Sequence, residues 1–141
     1  MRKLLLTLAA VACVVPALAF AAADPKPNSH FIYCKKQNNC PMDFNTNKAG
    51  TKIVHLSLYP KCSPIPVGKK GFFPDMKVEN GKFSGQGKID NVLGDPITYD
   101  ISGKFKKPKK AVGTYDVDAK DCSDGAHKFV AKRDGKAETG F

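Results

Sequence analysis

The stretches KFSGQGKI at residues 82–89 and ITYDISGKFK at residues 97–106 alternate between polar side chains and apolar or small ones. The odd-numbered positions carry the apolar or small residues, and the even-numbered positions carry the polar ones. A period of two is typical of a β-strand with one buried face, whereas an amphipathic helix repeats every 3.6 residues. We therefore predict two strands whose inward-facing residues are Phe83, Gly85, Gly87, Ile89, Ile97, Tyr99, Ile101, Gly103 and Phe105.

Weaker forms of the same alternation predict further strands. One begins near His30, two cover residues 52–59 and 110–117, and a short last strand surrounds residues 128–132. For residues 52–59 the pattern places Val54, Leu56 and Leu58 on one buried face and predicts that the other face is partly covered as well: Ile53, His55, Ser57 and Tyr59.

Turn-forming residues separate these segments. Asn80-Gly81 is the strongest short signal for a hairpin, because both central residues of a type I′ turn need positive φ. Further breaks lie at residues 94–96 and 107–109. Short strands between frequent turns predict an all-β fold, namely an antiparallel β-sandwich of about seven or eight strands. A small closed β-barrel is the alternative architecture.

The N-terminus has the layout of a secretory signal peptide. Basic residues at positions 2–3 precede an apolar run at residues 4–20, and residues 19–23 contain two overlapping A-x-A cleavage patterns. We therefore predict a signal peptide over residues 1–23 and a mature chain that starts near Asp24. Such a protein is secreted or associated with the cell envelope.

Two other interpretations of this segment stay open. A retained membrane anchor is disfavoured by Pro16 and by the short apolar run. A lipoprotein would carry its lipid on Cys13, which comes early in the run. No later segment is apolar enough to cross a membrane, so we predict one β domain at residues 24–133, followed by a flexible polar tail at residues 134–141.

Four cysteines follow the predicted signal peptide: Cys34, Cys40, Cys62 and Cys122. An even number of cysteines in an exported domain indicates two disulfides, for which three pairings are possible. Cys34 and Cys40 flank a polar segment suited to a hairpin tip. We therefore predict a local Cys34–Cys40 bridge and a long-range Cys62–Cys122 bridge. A zinc site with four Cys ligands is the alternative, although paired C-x₂-C motifs are missing.

The chain is strongly basic, with a formal net charge of +10 that becomes +8 when Arg2 and Lys3 leave with the signal peptide. A basic surface attracts phosphate-rich polymers, acidic glycans and anionic membranes. The densest cluster surrounds Pro108, and we predict it as the contact site for an anionic polymer or cell-envelope component: Lys104, Lys106, Lys107, Lys109 and Lys110. The alternative is a solvated lysine surface without a specific partner. The chain has no Trp, which argues against base or sugar stacking and against specific nucleic-acid recognition.

Short motifs follow one another in the second half of the chain: NGKFSG at residues 80–85, ISGKF at 101–105, AVGTY at 111–115, CSDG at 122–125 and FVAKR at 129–133. This layout resembles a loosely defined group of exported bacterial β-sandwich proteins, common in actinobacteria and mostly of unknown function. The resemblance covers roughly residues 52–133. It implies an exported β fold and a pairing of Cys62 with Cys122, but no catalytic residue. Phe129 stands where the group often carries Trp.

No catalytic or cofactor motif is present in the sequence. Three histidines, His30, His55 and His127, follow the predicted signal peptide. Ser57 lies near His55 on one predicted strand face, but the G-x-S-x-G elbow of a serine hydrolase is missing. We therefore predict a non-enzymatic binding module without a cofactor, and a small secreted hydrolase is the alternative.

Two further features suggest other functions. The carboxylates of Asp116, Asp118, Asp121 and Asp124 could hold Ca²⁺, but their spacing is not that of an EF-hand. A solvated turn whose Asp side chains cap backbone amides is therefore favoured. Residues 60–74 are rich in Pro, Gly and Lys and predict a long loop. A secreted inhibitor or toxin-like factor would present this loop to its target.

Overall fold

The computed structural model describes residues 21–36, 39–59, 73–90, 95–119, 122–123 and 125–137. All regular secondary structure within these ranges is β-strand. The same ranges contain no helix that is long and apolar enough to cross a membrane. The strands are β1 (Ser29–Tyr33), β2 (Met42–Thr46), β3 (Lys52–Leu58), β4 (Met76–Lys77), β5 (Lys82–Asp90), β6 (Pro96–Lys107), β7 (Lys110–Ala119), β8 (Cys122–Ser123) and β9 (His127–Lys136).

These strands form one antiparallel sheet. Its order is β4-β3-β2-β1-β9-β7-β6-β5, and the short β8 pairs with β7 beside this path. The two edge strands, β4 and β5, are consecutive in the chain, and the turn between them joins Glu79 and Lys82 by two backbone hydrogen bonds of 2.9 Å. The sheet therefore curls until its edges meet at one end, like a nearly closed barrel. The predicted antiparallel all-β fold is confirmed, and the barrel alternative describes it more closely than the sandwich.

The hairpin turn predicted at Asn80-Gly81 is also confirmed. Asn80 has φ of 49° and Gly81 has φ of 68°, so both central residues adopt the left-handed conformation that a type I′ turn requires. This turn sets the point at which the two edges of the sheet meet.

The core is aromatic and lies inside the curled sheet. Phe83, Ile101 and Phe105 are buried as the alternation predicted, and the polar residues on either side of them are exposed. The ring centroid of Phe105 lies 5.4 Å from that of Phe31 and 5.6 Å from that of Phe83. Phe31 also stacks on Phe44 at 5.2 Å. Such ring pairs add favourable contact energy to the burial of apolar area.

The buried face predicted for β3 is partly wrong. Ile53 is 1% exposed and belongs to the core, whereas Val54 is only half-buried. The pairing register between β2 and β3 shifts within this strand, and His55 has φ of 52°. A bulge of this kind inserts one residue into the ladder, and the residues before it change faces. The two leucines after the bulge are buried as predicted.

The segment before β1 is held against the β6–β7 hairpin. The Ala23 N–H donates to the Phe105 carbonyl at 2.7 Å, and the Lys26 N–H donates to the Pro108 carbonyl at 2.7 Å. The predicted signal peptide lies almost wholly outside the described residues, which begin at residue 21.

At the other end of the chain, β9 extends beyond the predicted domain boundary. The strand ends at Lys136, and the Ala137 N–H donates to the Asn28 carbonyl at 3.0 Å. The first residues of the predicted flexible tail, 134–136, are therefore part of the sheet. Residues 138–141 lie outside the described ranges.

The local disulfide predicted between Cys34 and Cys40 is present. It closes the β1–β2 hairpin, where Lys36 and Asn39 also form a backbone bridge. Cys122 is disulfide-bonded as well, but Cys62 lies outside the described residues, as does nearly all of the loop predicted at residues 60–74. The Cys62–Cys122 pairing therefore stays a prediction.

Candidate functional site

All five lysines of the predicted contact site lie on the β6–β7 hairpin. Lys104, Lys106 and Lys107 are exposed on the last part of β6, Lys109 is exposed in the turn, and the half-buried Lys110 begins β7. Because a hairpin tip projects from the sheet, the charges of these side chains add in one region of solvent.

Neighbouring strands extend this cluster with lysines that the sequence analysis did not single out. Lys82 of β5 lies opposite Lys104, and Lys132 of β9 lies opposite Lys110. Lys128 shares the face of Lys132, since residues an even number apart on a strand face the same way. We call the combined set the lysine surface: Lys82, Lys104, Lys106, Lys107, Lys109, Lys110, Lys128 and Lys132. Only the strand register reveals the three added lysines as neighbours of the hairpin, because they are far from it in sequence.

The lysine surface contains cross-strand pairs of like charge. Lys82 faces Lys104, and Lys110 faces both Lys107 and Lys132. Like charges directly opposite each other destabilise a sheet by a few tenths to about 1 kcal/mol per pair. Within the described part of the chain, no ion pair joins any lysine of this surface to a carboxylate. The positive charge is therefore not neutralised by this part of the fold.

A row of hydroxyl groups borders the lysines. Ser84 lies opposite Ser102, and the Ser102 Oγ lies 3.2 Å from the Thr114 Oγ1. Together with Lys82 and Lys104, these residues line a shallow, open depression of about 500 Å³. Ammonium groups donate up to three hydrogen bonds each, and hydroxyl groups rotate to donate or accept. The depression therefore offers several donors to an oxyanion.

The other end of the same sheet face is acidic. Asp100 lies opposite Asp116, and Asp118 lies one step further along β7. Asp100 and Lys104 are four residues apart on β6, which corresponds to roughly 13 Å along a strand. The outer face thus has a basic end near the hairpin tip and an acidic end away from it.

Of the four carboxylates considered as possible calcium ligands, Asp116 and Asp118 lie among the described residues. Asp121 and Asp124 lie outside the described residues. In the part of the chain that is described, no group of three or more His, Cys, Asp and Glu side chains could hold a metal ion. The nearest neighbour of Asp116 across the sheet is Asp100, which the sequence analysis did not include. Calcium binding therefore stays a hypothesis.

Tyr99 lies at the acidic end, and the burial of its phenol group should make the stability of the fold depend on pH. It is 7% exposed, and its ring meets that of Phe73 edge-on at 4.9 Å. Burial disfavours the phenolate and raises the pKa of Tyr99. The folded state therefore holds this proton more tightly. The resulting stability is complete below about pH 10 and is lost as the pH rises through the raised pKa.

In urea titrations above about pH 9, we expect the unfolding free energy to fall less for Tyr99→Phe than for the wild type. Equal slopes would contradict this.

Among the described residues, His55 and Ser57 do not form the arrangement that a serine hydrolase needs. The bulge at His55 breaks the alternation that would place it beside Ser57, and Ser57 is buried opposite Asp43. His30 lies between two carboxylates, with Nε2 3.8 Å from Asp43 Oδ1 and Nδ1 3.9 Å from Asp134 Oδ2. In a catalytic triad the imidazole contacts the serine hydroxyl. Here the residue facing the serine is a carboxylate.

No protein-family model, curated protein or solved structure matches this chain. The resemblance to exported actinobacterial proteins therefore stays an expectation. The functional argument depends on the geometry and charge of the outer sheet face.

Proposed function

We propose that this chain is an exported, non-enzymatic protein that binds an anionic polymer or cell-envelope component on its lysine surface. The observation that carries the proposal is the like-charge pairing of Lys82 with Lys104 and of Lys110 with Lys132 on one face of the sheet. An anion held between two such ammonium groups removes their repulsion and adds attraction. The unfavourable pairs in the free protein thus favour the bound state.

The side chains of this surface indicate which kind of ligand fits. Lysine presents a compact point charge, without the planar fork by which arginine recognises one carboxylate or phosphate in a fixed orientation. Arg133 is the only arginine after the predicted signal peptide, and its Nε already donates to the Ser29 Oγ at 2.9 Å. The surface therefore suits a flexible chain with repeated phosphate, sulfate or carboxylate groups, recognised by charge density.

The charge pattern also gives the direction in which such a chain would lie. The basic end includes lysines from β5, β6, β7 and β9, whereas Asp100 and Asp116 would repel an anion at the other end. A bound polyanion is therefore expected to cross the strands near the β6–β7 hairpin and to avoid following one strand along its length.

Binding of fluorescently labelled polyphosphate, measured against salt concentration, tests the proposal. For polyanions, the logarithm of affinity falls linearly with the logarithm of salt concentration, and each neutralised charge contributes roughly 0.7 to 0.9 to the slope. We expect the double variant Lys104→Gln, Lys110→Gln to lower the slope by about 1.5 and the affinity by about tenfold or more. Removing two repelling charges should also raise its unfolding free energy by up to about 1 kcal/mol.

The matched control is the double variant Lys35→Gln, Lys36→Gln. It removes the same charge from exposed positions in the disulfide-closed hairpin, so its affinity should change far less. Equal losses in both double variants would show that only net charge matters, and a slope near zero for the wild type would reject the proposed function.

A further inference from the structure

We infer that the lysine surface docks on an anionic lipid bilayer, with Val112 and Val130 entering the region between the headgroups and the acyl chains. This inference deepens the proposed function and rests on it, because the same lysines supply the attraction. It commits the cell-envelope component to one chemistry, that of phospholipid headgroups with an apolar layer beneath them.

Two valines lie side by side on the outer face of the sheet. Val112 of β7 is directly opposite Val130 of β9. Val130 is 43% exposed, and Val112 is half-buried. Among the described residues, Tyr59 is the only other exposed large apolar side chain, and it follows β3, which β1 and β2 separate from β9. Because single exposed valines are common on protein surfaces, the surroundings of this pair decide what it can do.

The valine pair lies within the positive charge of the lysine surface. Two lysines flank Val130 along β9 and one precedes Val112 along β7, and residues two apart on a strand share a face. A fourth lies on β6, opposite Val112. The backbones of these lysines are each within roughly 7 Å of a valine backbone. The four lysines that surround the pair are Lys104, Lys110, Lys128 and Lys132.

The surface around the pair is shallow and open. Val112 lines the same depression as Lys82 and Lys104. A site for a small soluble ligand usually encloses most of that ligand in a cleft. An open sheet face instead suits a partner that is itself broad and flat.

An anionic bilayer complements both the charge and the apolar centre of this surface. Each lysine near such a bilayer adds about fivefold to the affinity. Lysine side chains can lay their alkyl stems along apolar surface while their ammonium groups stay at the headgroups, which lets the valines between them go deeper. A dissolved polyphosphate chain has no apolar part, so the valine pair contributes nothing to its binding.

The acidic end of the outer face sets the orientation of the docked protein. Asp100 and Asp116 lie opposite each other, away from the β6–β7 hairpin, and an anionic bilayer repels them. The protein is therefore expected to dock with its hairpin end towards the bilayer and its acidic end tilted into water.

Tryptophan fluorescence tests whether position 130 enters the bilayer. The chain has no Trp, so one introduced indole reports only on its own surroundings. In the secreted, processed Val130→Trp variant, we expect a blue-shifted emission with vesicles of equal parts phosphatidylglycerol and phosphatidylcholine, and quenching by lipids brominated on the acyl chains. Vesicles of phosphatidylcholine alone should cause no shift. Tyr59→Trp is the matched control, since Tyr59 is similarly exposed at 40%, and its emission should not shift.

Val130→Ser separates docking on a bilayer from binding of a polyanion. Shortening the apolar side chain should lower the affinity for the anionic vesicles by about three- to tenfold. The affinity for polyphosphate should change by less than about twofold, because the charge is unchanged. Circular dichroism and urea unfolding establish that each variant is folded.

The two ligands distinguish failure of this inference from failure of the proposed function. Binding of polyphosphate without binding of anionic vesicles would overturn the inference and leave the proposed function intact. Vesicle binding with no blue shift in Val130→Trp, or with the wild-type affinity in Val130→Ser, would show adsorption by charge alone and would also overturn it. A chain that binds neither polyphosphate nor anionic vesicles would reject both.

Discussion

Replacing Gly113 with alanine is expected to destabilise the fold by about 2 to 3 kcal/mol, although alanine normally suits a strand interior better than glycine. A Cβ atom at this position would lie 2.7 Å from the Gly103 Cα and 2.8 Å from the Phe129 Cε1, and closer still to the Ser102 carbonyl oxygen. Two of these atoms belong to the backbone of β6, so they move only if the β6–β7 pairing changes. The usual gain from replacing glycine, about 0.4 to 1 kcal/mol, is smaller than this overpacking.

Gly135 provides the matched control for this substitution. It lies in β9, and a Cβ atom there would meet nothing within 4 Å. Gly135→Ala should therefore leave the unfolding free energy unchanged or raise it by up to about 1 kcal/mol. Urea unfolding of both variants measures the difference, which should have opposite signs at the two positions. A Gly113→Ala variant as stable as the wild type would show that the strands tolerate closer packing than this structure implies.

The different effects expected at Gly113 and Gly135 cannot be predicted from the sequence. Both occupy positions in or beside alternating strand patterns, and nothing in the sequence separates them. The difference arises because Gly113 lies against its cross-strand partners, Gly103 of β6 and Phe129 of β9. These contacts depend on the pairing registers of β7 with both neighbours, which local periodicity does not contain.

Other parts of the fold were predictable because their signals are local. The alternation in β5 and β6 spans enough residues to exclude a helix, and Asn80-Gly81 marks the turn between β4 and β5 by the positive φ values that these residue types tolerate. The Cys34–Cys40 bridge was likewise predictable from a short polar segment between two cysteines. In each case the chemistry and the structure lie within one hairpin.

Only those lysines of the candidate site that are close together in sequence could be predicted. Lys104, Lys107 and Lys110 are close in sequence, and the turn at Pro108 brings them together without help from the rest of the fold. Lys82 and Lys132 join them only through the registers of β5 with β6 and of β7 with β9. The face reversal in β3 was hidden too, because the bulge at His55 depends on pairing with β2.

The lysine surface and the core are linked through Phe105. Its side chain is fully buried, while Lys104 and Lys106 on either side of it are exposed. Its backbone N–H donates to the Gly81 carbonyl at 2.8 Å, and its carbonyl accepts from Ala23. In the predicted mature chain, which starts near Asp24, Phe105 thus anchors the lysine-rich end of β6 to the core and to the hairpin turn.

Phe105→Ala is consequently expected to have the largest effect of any single truncation on this hairpin, a loss of about 3 to 5 kcal/mol in unfolding free energy. Between centroids, the ring lies 5.4 Å from Phe31 of β1, 5.6 Å from Phe83 of β5 and 6.4 Å from Phe44 of β2. Its removal therefore leaves a cavity that these rings, fixed on three strands, only partly fill. Since small domains are stable by about 5 to 15 kcal/mol, much of the total stability would be lost, and the urea midpoint should fall accordingly.

Val130→Ala on β9 separates this core effect from a general effect of shortening an apolar side chain. Val130 is 43% exposed on the outer face, so its truncation should lower the unfolding free energy by less than about 1 kcal/mol. Comparable losses in the two variants would mean that Phe105 is not the centre of a packed core, and the lysine-rich end of β6 would then lack the rigid support on which the proposed binding surface depends. A large loss for Phe105→Ala alone would show that the charges are displayed from a fixed framework.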